Sequence, residues 1–152
     1  MKKKIAGLAL LAVIMTTTAF AKNIDDKNIN QNVLTSFNQK FVQASDIKWS
    51  VTANFVEARF KMNDQFMYAF FSETGELLGI SRNILVNQLP INLQASIKRS
   101  YSTSWVTELF ELAKEDQTTY YVTLENADQK VTLKSVDANT WTVYKKTKKN
   151  ID

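Results

Sequence analysis

The chain has no cysteine and no histidine among its 152 residues. Their absence excludes disulfides, lipid attachment through an N-terminal cysteine, thiol chemistry, imidazole acid/base catalysis and nearly all zinc sites. No Asp-x-Asp-x-Asp-Gly loop is present, so a calcium loop of that kind is excluded as well. Beyond the N-terminus no apolar run approaches the ~20 residues that a membrane-spanning helix needs. A chain so restricted must hold itself by its core, and 45% of its residues are hydrophobic and 11% aromatic. That is enough for one ordinary domain.

The N-terminus joins a basic start (Lys2, Lys3, Lys4), an apolar run from Ile5 to Met15 and the small-residue pattern Ala19-Phe20-Ala21. This is the pattern of a secretory signal peptide, with cleavage expected after Ala21. The competing reading, a membrane anchor, fails on length, and Thr16, Thr17 and Thr18 interrupt the run. The mature protein is therefore expected in the periplasm or secreted, without stable membrane insertion.

Of the 19 basic residues, three lie in Lys2–Lys4 and four at Lys145, Lys146, Lys148 and Lys149, which leaves 12 basic against 14 acidic residues over 22–144. The high isoelectric point belongs to the two ends and does not indicate a nucleic-acid-binding domain. A flexible leader is expected over 22–28 and a solvated basic tail over 146–152.

Between those ends the hydrophobic period alternates between two values. Val33, Phe37 and Phe41 place one stripe on a helix from about Asn30 to Gln43, and Leu93, Ile97 and Tyr101 place another after Leu89-Pro90. Val56, Ala58 and Phe60 then alternate with polar residues, Asn63-Asp64 turns, Phe66 to Phe71 reads as a strand, and Glu73-Thr74-Gly75 turns into Leu77-Leu78. The second half follows suit with Tyr120, Val122 and Leu124, a turn at Asn126 to Gln129, Val131 and Leu133, and Asp137-Ala138-Asn139 leading to Trp141 and Val143. The strand positions match at a constant offset of 64 residues, as in Val56/Tyr120 and Phe60/Leu124, and the helical stripes at 60. An internal duplication is expected. The expected fold is α+β: two tandem helix-plus-antiparallel-hairpin repeats, about 29–85 and 86–145, with the helices packed on one face of a curved antiparallel sheet.

Further residues form a recognisable set: Phe37-Asn38-Gln39-Lys40-Phe41 leading to Ile47-Lys48-Trp49, Phe70 to Leu78 with its Ser72-Glu73-Thr74-Gly75-Glu76 turn, Ile84, and Leu89-Pro90. In these residues the chain resembles the PepSY-like, beta-lactamase-inhibitor-like family of bacterial exported proteins. The second half offers Asn139 where the first has Gly75. The resemblance implies an envelope location and a binding or inhibitory role, and it carries no catalytic residues.

Strand parity assigns Val56, Ala58, Phe60, Met67, Ala69, Phe71, Val122, Leu124, Val131, Leu133, Trp141 and Val143 to the core. Trp49 and Trp105, in matching places of the two halves, are expected there too. The opposite parity exposes Phe55, Arg59, Phe66, Tyr68 and Phe70 in the first half and Tyr121, Lys130 and Lys134 in the second. Aromatic residues beside cations on an outward face match the composition of interface centres, so these eight residues form the candidate binding surface. The competing reading is that a loop, the leader or a partner subunit covers these rings, or that the parity of the two faces is inverted. The carboxylates Glu108/Glu111 and Glu115/Asp116 read as a solvated edge, since nothing nearby forms an apolar pocket that would raise a pKa.

The expected function is a non-catalytic exported binding module, an inhibitor or modulator of an envelope protein or peptide, with no cofactor and no metal. The alternative is a structural or stress-related envelope protein acting as a homodimer.

Overall fold

The computed structural model describes residues 22–149, so the expected signal peptide over 1–21 and the last three residues of the tail lie outside the described residues. Nine strands follow one another in chain order in one sheet: β1 (Lys22–Ile24), β2 (Ser45–Val51), β3 (Val56–Met62), β4 (Gln65–Phe71), β5 (Leu77–Asn83), β6 (Trp105–Lys114), β7 (Gln117–Glu125), β8 (Gln129–Ser135) and β9 (Thr142–Lys148). Two ten-residue helices interrupt them, α1 (Gln31–Lys40) and α2 (Ile91–Ser100). No helix among the described residues is long and apolar enough to cross a membrane.

This architecture corrects the expected α+β plan of two helix-plus-hairpin repeats: the chain is mostly β, a meandering antiparallel sheet with two short helices. The strand after Glu73-Thr74-Gly75 shows why. In sequence it closes a first set of hairpins, yet it pairs onward with β6 through Ile80↔Ala113 and Arg82↔Glu111, so the ladder runs past the point where a repeat would end. The leader expected over 22–28 instead carries β1, paired with β2 through Lys22↔Val51, and a 3-10 turn at Asp26–Asn28. Lys146 and Lys148, expected in a frayed tail, pair with β8.

The chain divides into two compact units at Leu78/Gly79. In the first, Asn30 caps α1 by accepting the Asn32 N–H at 2.8 Å, and the helix ends at Lys40, short of Gln43, with Phe41 as its C-cap. Its stripe buries Val33 and Phe37. The Phe37 ring lies 5.1 Å from those of Phe41, Trp49 and Phe60 and 6.3 Å from Phe71, an aromatic core set mainly edge to face. Asn63 and Asp64, both at positive φ, make the two-residue hairpin between β3 and β4.

In the second unit α2 buries Leu93 and Ile97 against Ile84, Leu89, Leu109, Val122, Leu124, Val131 and Leu133. Trp141 packs against this cluster half-buried, and its indole N–H donates to the Leu93 carbonyl at 3.1 Å. Besides the half-buried Trp141, three expected core positions differ. Val143 is 61% exposed on β9, Met67 is half-buried, and Trp105 is 54% exposed.

Trp105 is not the counterpart of Trp49. Both β2 and β6 begin with four exposed residues and carry a register shift, after which two buried residues follow: Trp49 and Ser50 in one, Leu109 and Phe110 in the other. Leu109 therefore takes the core place of Trp49, while Trp105 stands where Ser45 does.

Candidate functional site

The antiparallel register of the first unit determines which side chains share a face. Lys48 stands opposite Arg59 and Arg59 opposite Tyr68; Ser50 stands opposite Glu57 and Glu57 opposite Phe70; Lys61 stands opposite Phe66. The expected parity is thus met, but cover over this face is uneven. Phe70 and Ser50 are buried at one end, where Phe70 packs edge to face on Phe55 at 5.3 Å. Tyr68 and Arg59 are half-buried, and Phe66 at the other end is 45% exposed. Phe55 and Phe70 are therefore floor, not contact surface, which corrects their place in the expected patch.

Arg59 is the charged centre of the open end. Its guanidinium carbon lies 4.3 Å from the Phe66 ring centroid, a cation–π stack, while its Nε is buried and has no hydrogen-bond partner among the described residues. Burial pushes the neighbouring Glu57 carboxyl above its ordinary value, partly offset by the Arg59 charge. Lys61 is held at the hairpin by Asp64 at 3.1 Å. Sequence reasoning missed Lys48 and Lys61 as members of this face. The parity of Lys61 with Arg59 could have found it, whereas Lys48 needs the β2–β3 register and its irregularity.

The three remaining candidates form a separate group in the second unit. Tyr121 is fully buried, stacked on Phe110 at 5.0 Å and edge-on to Tyr144 at 5.9 Å. Its hydroxyl has no hydrogen-bond partner among the described residues, and burial, then the neighbouring Tyr144, pushes its pKa well above the ordinary value. Tyr121 cannot be a contact residue as the chain stands. Lys134 lies 5.9 Å over its ring, and Lys130 is paired with Glu125 at 3.3 Å. Lys149 holds the other oxygen of the Glu125 carboxylate at 3.1 Å and lies 5.2 Å over the exposed Trp105 ring. These hydrogen bonds, from Lys149 foremost, hold the Glu125 pKa below its ordinary value.

The second unit also has an open cleft of about 590 Å³ lined by Asn83 to Val86 and Val106 to Leu109. Glu108 is its carboxylate, and Thr123 donates to it at 3.2 Å. Among the described residues no group of three or more acidic side chains is placed to hold a metal ion.

Solved structures share this arrangement of strands and helices. A BLIP-like protein from Bacteroides fragilis superposes with a TM-score of 0.70 at 19% identity, over 89% of this chain and 94% of that one. The fold is beta-lactamase-inhibitor-like. A DUF2874 family protein from Bacteroides ovatus matches with a TM-score of 0.70 at 16% identity, over 80% of this chain and 88% of its own. A candidate periplasmic protein from Bacteroides eggerthii gives 0.70 at 14%, over 79% and 88%. No protein-family model and no curated protein matches the chain. The open end around Arg59 and Phe66 sets an exposed aromatic ring beside a half-buried guanidinium.

Proposed function

We propose that the chain is an exported, non-catalytic binding module that inhibits or modulates a protein of the cell envelope through the Arg59, Phe66 and Tyr68 face. The observation that carries this reading is the exposed Phe66 ring stacked on the Arg59 guanidinium. Aromatic and arginine side chains dominate the energetics of interface centres, and the cation–π stack holds the Arg59 guanidinium in place beside the exposed Phe66 ring. Export is supported by the basic and apolar start of the chain, by the PepSY-like residues, and by the periplasmic description of the Bacteroides eggerthii protein. Inhibition is supported by the fold shared with the BLIP-like protein. The lack of histidine and cysteine supports a role without chemistry.

The test is capture from envelope extract of the organism that encodes the chain. The mature chain is compared with an Arg59→Ala, Phe66→Ser variant whose buried Phe55 and Phe70 are left intact. The expected result is a set of proteins held by the first and lost by the second, and equal capture by both would remove the proposal. Any captured enzyme, a β-lactamase included, is then assayed with and without the chain: reduced turnover supports inhibition, and unchanged turnover reduces the role to binding.

A further inference from the structure

The edge of the sheet formed by β9 carries a second and independent feature. Among the described residues β9 pairs with β8 alone, so its other edge presents a row of backbone N–H and C=O groups. Every residue from Thr142 to Lys148 is exposed. Lys145 stands opposite Thr132, whereas Lys146 and Lys148 stand opposite Val131 and Gln129, so the lysines flank the strand on both faces of the sheet. None of these three makes an ion pair among the described residues, and β9 contains no acid. Glu125 is already shared by Lys130 and Lys149.

We propose that β9 is a docking edge for an extended acidic peptide segment, which adds to the sheet as a further antiparallel or parallel strand. Lysines along an edge repel neutral association by keeping their own hydration and reject a basic strand outright, but they attract an acidic one, so the same residues guard and select. Distribution over both faces favours a strand, whose own side chains alternate to both faces, over a flat anionic surface, which a one-sided patch would suit. Val143 and Tyr144, exposed at the start of β9, offer apolar contact to one end of the segment.

The experiment titrates the mature chain with a fluorescent glutamate- and threonine-rich peptide carrying one terminal valine, its fully N-methylated counterpart, and a lysine-for-glutamate version. Anionic phosphatidylglycerol vesicles are assayed in parallel. The acidic peptide is expected to bind, more weakly as salt rises. N-methylation, which removes the strand ladder, and the variant Lys145→Glu, Lys146→Glu, Lys148→Glu should each weaken binding about tenfold or more. The lysine peptide should not bind, and the Arg59→Ala, Phe66→Ser chain should bind the acidic peptide unchanged, which separates this edge from the face proposed above. Equal binding of the N-methylated peptide, no binding of the acidic peptide, or uptake by vesicles with the peptide left free would each overturn the proposal.

Discussion

The backbone carbonyl oxygen of Asn32 lies 2.6 Å from the position that a Cβ on Gly75 would occupy. The first turn of α1 is thus seated directly on the turn that follows β4, and Gly75 also holds a φ of +88°, which L side chains rarely adopt. Gly75→Ala must both strain that turn and push the helix off it. The expected loss is about 3 kcal/mol, read as a shift in the urea midpoint at constant slope. A loss within experimental error would mean that helix and turn are not so joined.

The second unit meets the same demand differently. In sequence Asn139 stands where the first half has Gly75, but Ala138 takes the left-handed conformation, at φ 58°, while Asn139 accepts a hydrogen bond from the Asn92 side chain on the first turn of α2. Ala138→Gly relieves the strain of a Cβ at positive φ and should stabilise the chain by about 0.5–1 kcal/mol in the same unfolding assay.

Asp137 organises this turn, accepting the backbone N–H groups of Asn139 and Thr140 at 2.9 Å, the Thr140 hydroxyl at 2.7 Å and the Ser135 hydroxyl at 3.1 Å. The Thr140 backbone and side-chain bonds foremost, then that from Asn139, hold its carboxyl well below the usual carboxylate range. A carboxyl depressed by folding stabilises fully above its unfolded pKa of about 3.9, and that contribution is lost as pH falls toward the folded value. Asp137→Asn should therefore lower Tm at neutral pH, and the gap from the wild-type chain should narrow on acidification below about pH 4. A gap that stays constant with pH would contradict the role given to the carboxylate.

Tyr121 buries its hydroxyl without a partner among the described residues. Removing that hydroxyl removes an unmet desolvation cost, so Tyr121→Phe should leave stability unchanged or raise it by up to ~1 kcal/mol. Tyr121→Ala, which empties the place between Phe110 and Tyr144, should cost about 3–5 kcal/mol. Chemical denaturation of the two variants checks both.

The contrast between Phe66 and Phe70 shows how much of the site could be read from sequence. Alternation placed both on one face, and the ladder Glu57↔Phe70, Arg59↔Tyr68, Lys61↔Phe66 bears that out. Parity says which side chains share a face, however, and not whether that face is covered, so the burial of Phe70, Phe55 and Tyr121 was not legible. The Phe37 stripe and the Val56, Ala58, Phe60 alternation were legible because each repeats with its element's own period. Trp105 was misplaced because burial along β6 begins four residues later, at Leu109. β1 has only three residues, and its existence depends on pairing with β2, which no local pattern records. Likewise the Arg82–Glu111 ion pair joins residues far apart in sequence through the β5–β6 register.

The most direct measurement is the affinity of the mature chain for a captured envelope protein, compared between wild type, Phe66→Ser and Val42→Ser. Val42 is 83% exposed outside the strands, so its substitution removes apolar surface without touching the proposed face. The expected result is binding weakened about tenfold or more by Phe66→Ser and left unchanged by Val42→Ser. Equal affinities for all three chains would contradict the assignment of binding to the Arg59 and Phe66 face.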